Sequence, residues 1–235
     1  MQSLLQWTIE IMLIVVHFPL SFVLPFLNWS PQAGRADKPT VVLVERWIER
    51  NPLHIFPKKF FERLGYSVHS VNFPMLETTF DQSARELRDY INSHNLRDVV
   101  LIGLSNGGVT SYEYLQKHNG WKNTRLLITI GSPFGGAILG FLLFGSHVKQ
   151  ELDPQGSFVT QLQEQKPLHP EKIYCFSARV DQMVGSANCY LPGAHHLEID
   201  VVGHNLLHTL WKPTFTKVNA CIEGSKNSSY NNSSV

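Results

Sequence analysis

Val99-Val100-Leu101-Ile102-Gly103-Leu104-Ser105-Asn106-Gly107-Gly108 runs an apolar, strand-like segment directly into a G-x-S-x-G turn, and a helix-compatible segment follows. A strand that turns this sharply into a helix leaves no room for side chains beside the bend, which accounts for the glycines on either side of Ser105. The bend lifts the Ser105 hydroxyl clear of the sheet. Ser105 is therefore the candidate nucleophile.

Working outward from that stretch, further strand-like runs occur at Thr40 to Val44, Ser67 to Asn72, Leu126 to Ile130, Ile173 to Ser177 and Leu197 to Val202. Helix-like periodic segments separate them, which is the sequence form of a parallel sheet covered on both faces. The expected fold class is α/β, with a mostly parallel sheet of about six strands and helices on both sides. Ser83-Ala84-Arg85-Glu86 reads as a capping box, with Leu87 and Ile91 on the apolar face of the helix it opens. The helix after Ser105 is expected to stop at Asn119-Gly120. The folding unit spans 39–222, after a polar linker at 31–38. From Gly224 on the composition is Ser, Asn and Lys, so 223–235 is expected to be a disordered tail.

The 235 residues, 43% of them hydrophobic, suffice for one substantial core. Twenty basic and nineteen acidic residues give a net charge of +1, and no long basic run is present, which argues against nucleic acid as a partner. Cys175, Cys189 and Cys221 are widely spaced and form no C-x-x-C pair. Neither a disulfide framework nor a zinc site is indicated, and at most one bridge fits.

Residues 1–30 form a separate object. Ile11 to Trp29 is almost wholly apolar and long enough to span a bilayer. No basic residue precedes the run, Glu10 stands at its edge, and Gly34-Arg35-Ala36 is a poor cleavage site, so an anchor fits better than a signal peptide that would make the protein secreted. With Arg35, Lys38, Arg46 and Arg50 following, a spanning segment would leave the catalytic domain on the cytoplasmic side. Pro19 and Pro25 are also compatible with a shallow hairpin, and the remaining reading is a helix packed on the domain.

A serine hydroxyl is a poor nucleophile at neutral pH and needs a histidine base oriented by a carboxylate. In a sheet of this kind the partners follow in the order Ser, Asp or Glu, His, each on a loop after a later strand. Asp181 follows the strand-like Ile173 to Ser177, and His204 follows Leu197 to Val202. The order fits. The chain has 11 histidines, and His208 is the nearest rival, but His204-Asn205-Leu206-Leu207-His208 lacks the glutamate of an H-E-x-x-H zinc site. The competing reading of Asp181 is a turn aspartate paired with Arg179, while Glu198 and Asp200 lie within the last strand. Asn106 N–H is the first candidate donor to a developing oxyanion, and the amide of Trp47 or Arg46, at the end of the first strand, is the second. No cofactor or metal is called for.

Together, Leu101 to Gly108, Thr129-Ile130-Gly131-Ser132-Pro133-Phe134-Gly135-Gly136-Ala137, Asp181 to Val184 and Gly203-His204 resemble the motifs of α/β-hydrolase lipases and esterases, most closely small bacterial triacylglycerol lipases. The resemblance spans about 39–212 and implies Ser105, Asp181 and His204 as a catalytic triad with Asn106 as an oxyanion donor. One departure stands out: such lipases commonly carry His-Gly where this chain has Glu45-Arg46. A charged pair there is placed to contact a substrate headgroup.

The interval between Ser105 and Asp181 leaves little room for a large cap, so the site is expected to be fairly open. Within it, Ala137-Ile138-Leu139-Gly140-Phe141-Leu142-Leu143-Phe144 is suited either to line an acyl groove or to pack as a buried helix. Phe134, Leu139, Phe141 and Leu142 are the candidate substrate contacts. The leading reading is hydrolysis of a lipid-like carboxylic ester, with membrane association through the N-terminal segment. An acyltransferase, a thioesterase or amidase, and a membrane-tethered lipid-binding module inactivated at Glu45-Arg46 are the alternatives.

Overall fold

The computed structural model describes residues 2–23, 29–47, 51–137 and 146–231. Its centre is a six-stranded sheet, all neighbours parallel, in the order β2-β1-β3-β4-β5-β6. The strands are β1 Thr40–Trp47, β2 Ser67–Pro74, β3 Val99–Leu104, β4 Thr124–Ile130, β5 Ile173–Val180 and β6 His195–Val202. Each contains one of the runs read from the sequence. Several run longer at the carboxyl end, where backbone pairing continues after the apolar stretch stops, as Trp47 does against Pro74.

Successive residues of a strand point to opposite faces, and the core divides accordingly. Val41 and Leu43 face one cluster and Val42 and Val44 the other. The first cluster packs α2 Ile55–Arg63 through Phe61, α7 His204–Thr209 through Leu206 and Leu207, and α8 Lys212–Asn231 through Phe215, Val218 and Ile222. On the other face lie α3 Phe80–Ser93, α4 Asn106–Lys117, α5 Ser146–Leu152 and α6 Ser157–Glu164. Helices thus cover both faces, and the strands are buried on both sides, which is why they read as near-continuous apolar runs.

Two local expectations are corrected. The capping box lies earlier than Ser83: Thr79 Oγ1 accepts from Gln82 N at 3.2 Å, and Gln82 Oε1 accepts from Thr79 N at 2.8 Å. Phe80, the first helical residue, is buried in the core, so its burial fixes where the helix begins, and Ser83 lies buried one turn inside it. Thr79→Ala is expected to cost about 1 kcal/mol of stability, seen as a lower urea midpoint; an unchanged midpoint would mean the cap does not hold α3. At the other end, α8 is anchored by Val218 and Ile222 and runs to Asn231, while 232–235, the end of the expected tail, lie outside the described residues. The three cysteines are free thiols, with no bridge.

The second correction concerns the N-terminus. Residues 2–23 form helix α1, Gln2–Val23, and no helix among the described residues is long and apolar enough to cross a membrane. α1 packs on the domain with Gln6, Glu10 and Leu13 buried, while Leu4, Leu5, Ile11 and Met12 face outward. Gln6 Oε1 accepts from Val202 N at 3.1 Å. The anchor reading rested on the apolar run from Ile11 and set Glu10 at its edge; Glu10 and Gln6, just before that run, are the side of the helix that faces the protein. The packed-helix alternative describes the part of this segment around Gln6, Glu10 and Leu13, and 24–28 lie outside the described residues.

Candidate active site

The carboxyl ends of the strands gather the candidate residues on one edge of the sheet. Strand order reverses at β1, which lies between β2 and β3, and the crevice beyond such a reversal is where open α/β sheets bind ligands. Ser105 lies there, between β3 and α4, with φ 50° and ψ −123°. A non-glycine residue in that conformation is strained and persists only where its surroundings fix it. Ser105 N donates to Ile130 O at 2.9 Å, and Gly108 N donates to Ser105 O at 3.0 Å. A Cβ on Gly107 would stand 1.9 Å from Val44 O, so the elbow can press against β1 only with glycine there.

The three residues that sequence order brought forward are in contact. His204 Nε2 lies 2.9 Å from Ser105 Oγ, and His204 Nδ1 lies 2.7 Å from Asp181 Oδ2. Asp181 Oδ1 accepts from Met183 N at 3.0 Å and Val184 N at 2.9 Å, which orients the carboxylate. An ionised carboxylate can only accept, so Nδ1 carries the proton and Nε2 is left to accept from the serine hydroxyl. Arg179 pairs with Asp200 at 2.8 Å, not with Asp181, and the competing reading of Asp181 as a solvated turn residue does not hold.

The electrostatics match this arrangement. Burial alone would raise the Asp181 carboxyl, but the facing His204 and the two backbone N–H groups hold it below the ordinary carboxylate value. Burial likewise disfavours a charged His204, yet the carboxylate of Asp181, followed by that of Glu10, raises its basicity above that of a free imidazole.

A small cavity of about 20 Å³ adjoins Ser105 and His204, lined also by Trp47, Asn106, Pro133, Ala137, Leu152, Met183 and Val184. Trp47 and Asn106, the residues expected to supply oxyanion donors, thus meet at the same place. Asn106 is the first residue of α4, where a backbone N–H has no acceptor within its own helix. Phe134 does not line this cavity: it is fully buried with its ring 5.7 Å from Tyr112, and Pro133 and Ala137 take its expected place. Leu139, Phe141 and Leu142 lie outside the described residues.

Glu45 and Arg46 also depart from expectation, since both are buried and turned inward. Glu45 Oε2 accepts from His54 Nδ1 and, at 3.3 Å, from Asn51 N. His54 Nε2 lies 3.0 Å from His208 Nδ1, whose ring meets that of His204 edge-on at 4.9 Å between centroids. Arg46 Nη2 donates to the Met75 and Thr78 carbonyls and to Glu151 Oε2, and its guanidinium lies 4.2 Å from the Phe80 ring centre. These are structural roles on either side of β1 and leave no charged pair for a substrate headgroup. Sequence reasoning treated His208 only as a rival base and missed His54. It also missed Glu10, whose signal was an i, i+4 pair of polar residues, Gln6 and Glu10, in a largely apolar helix.

No protein-family model matches the sequence, and no curated protein matches it. Solved structures do. The mature lipase BlEst2 of Bacillus licheniformis is 18% identical with a TM-score of 0.65, over 80% of this chain and 95% of that one. The carboxylesterase CesB of Bacillus subtilis is 12% identical with a TM-score of 0.55, over 91% and 98%. YbtT, the type II thioesterase of the yersiniabactin pathway, is 12% identical with a TM-score of 0.57, over 83% and 98%. With a six-stranded parallel sheet, helices on both faces and structural neighbours of this kind, the chain has the α/β-hydrolase fold.

Proposed function

We propose that the chain is a serine hydrolase acting on carboxylic esters through an acyl-enzyme. The observation that carries this reading is the unbroken contact from Ser105 Oγ through His204 to Asp181, on a strained turn that holds the hydroxyl at the edge of the sheet. Ser105 Oγ attacks the acyl carbonyl as His204 Nε2 takes its proton, and Asp181 stabilises the imidazolium that forms. The oxyanion accepts the Asn106 N–H and, in this reading, the Trp47 N–H. Collapse of the intermediate expels the alcohol, which leaves with the proton from His204. Water then attacks the acyl carbon, again giving up a proton to His204, and the carboxylic acid departs as Ser105 regains its hydrogen.

Trp47, Pro133, Ala137, Leu152, Met183 and Val184 make the surroundings of the reacting atoms apolar, which suits a hydrocarbon acyl group. The apolar run from Ala137 to Phe144 extends the reading to lipid-like esters. Thioesters are the second reading, favoured by the likeness to YbtT. A panel of p-nitrophenyl esters and acyl thioesters of graded chain length tests both: kcat/KM should rise with acyl length and favour oxygen esters. A preference for thioesters would exchange the two readings, and no turnover of either would support the inactive lipid-binding module.

The pH profile is a further check. Because Asp181 and Glu10 raise His204 above its ordinary value of 6.5, the imidazolium persists to higher pH and the base is unavailable below it. The acidic limb of kcat/KM should therefore have a midpoint above 6.5, with activity rising through neutral pH. A midpoint below 6.5 would mean that burial outweighs the two carboxylates.

A further inference from the structure

Glu10 is a carboxylate in an N-terminal helix, with none of its surface exposed, at the back of the loop that carries His204. A buried charge is costly unless its lone pairs are met, and here they are. Oε1 accepts from Asn205 N and Asn205 Nδ2, both at 2.9 Å, and from Gln182 Nε2; Oε2 accepts from Leu206 N at 2.8 Å. Gln182 in turn accepts from His204 N at 3.2 Å through Oε1. One carboxylate therefore ties the residue after Asp181 to the two residues after His204. Gly203, with φ 121°, completes the fit: a Cβ there would lie 2.5 Å from Glu10 Oε2.

We propose that Glu10 is a positioning residue for the reaction, holding the His204 backbone from both sides and adding a fixed negative charge behind the histidine. The inference rests on the hydrolase reading and goes beyond it by making α1, a helix outside the sheet, part of the active centre. Other groups face the same imidazole. Asp181 bonds Nδ1, Ser105 bonds Nε2, and His208 meets the ring edge, with His54 and Glu45 behind it. Asp181 is the direct partner. Glu10 acts through the loop and through its charge, and its negative charge favours the imidazolium.

The test uses the full-length chain with Glu10→Gln and Glu10→Asp. Glutamine keeps the shape but removes the charge and turns an NH2 toward N–H donors. Glu10→Gln should lower kcat between about tenfold and a hundredfold with KM little changed. It should also move the acidic limb of kcat/KM to lower pH by on the order of half a unit, because an imidazole without the nearby anion binds its proton less tightly. Glu10→Asp keeps the charge, so its limb should stay at the wild-type position while kcat falls less. A merely structural Glu10 would lower the unfolding temperature and leave the limb of the folded protein in place.

His204 titration by histidine NMR, assigned by comparison with His204→Ala, gives the same answer without turnover: its pKa should fall in Glu10→Gln. If Glu10→Gln does not fold, Glu10→Asp decides, through a reduced kcat and faster amide hydrogen exchange at Asn205 and Leu206. An unmoved limb and NMR titration in Glu10→Gln, or unchanged kcat and exchange in Glu10→Asp, would overturn the proposal. Wild type inactive on every ester with a His204 pKa that still falls in Glu10→Gln would sink the hydrolase reading instead, leaving the electrostatic link intact.

Discussion

Ser105→Ala is expected to lower kcat for ester hydrolysis by about a millionfold while leaving thermal unfolding close to wild type. The strained backbone at Ser105, φ 50°, already carries a Cβ, so alanine introduces no new clash. What is lost is Oγ alone, with its 2.9 Å contact to His204 Nε2. Residues that work as one unit fail together, so His204→Ala should cost about as much and the double variant little more. Steady-state rates on a p-nitrophenyl ester, measured beside a thermal melt, check this. A loss of tenfold or less in folded Ser105→Ala would place the nucleophile elsewhere.

Asp181→Asn should cost less, about ten-thousandfold in kcat, and the reason lies in the tautomer. The asparagine oxygen can still accept from Met183 N and Val184 N, as Asp181 Oδ1 does. Its NH2 then faces His204 Nδ1 and can only donate. Nδ1 must accept, the ring proton moves to Nε2, and that nitrogen can no longer take the proton of Ser105. The fold should survive, since the substitution changes one atom and keeps the loop bonds. Activity within tenfold of wild type would show that another group orients His204, and the chain Glu45, His54, His208 behind the ring would be the place to look.

Much of this arrangement is legible in the sequence. Strand composition is set by burial on both faces, so the runs at Val41 to Val44 and Leu101 to Leu104 declare themselves without knowledge of their neighbours. The turn at Ser105 carries its own signature in the G-x-S-x-G spacing, where Gly107 is the glycine that the close approach of Val44 demands. The order of Asp181 and His204 after later strands follows from sheet topology. Properties that depend on distant contacts stayed hidden. The start of α3 is fixed at Thr79 because Phe80 is buried in a core formed by residues far along the chain. Phe134 resembles a substrate contact by position, yet its ring is buried against Tyr112. Glu45 and Arg46 look like surface charges by type, and their partners, His54 and Glu151, are evident only in three dimensions.

α1 shows the same limit most sharply. The apolar run from Ile11, with an acidic residue only at its edge, reads as a membrane segment when hydrophobicity is averaged along the chain. Once folded, the outward side is the apolar one, and Gln6 and Glu10 turn toward Val202, Asn205 and Leu206. Averaging along the chain does not show which side of a helix is turned toward the protein.

The measurement that most directly tests the account is covalent labelling with an alkyl fluorophosphonate, followed by mass spectrometry of the digested protein. The activated hydroxyl should displace fluoride and leave a phosphonate on Ser105 alone, with labelling abolished in Ser105→Ala and strongly slowed in His204→Ala and Asp181→Asn. Folded wild-type protein that takes up no label, or carries it on another residue, would contradict the assignment of Ser105 as the nucleophile.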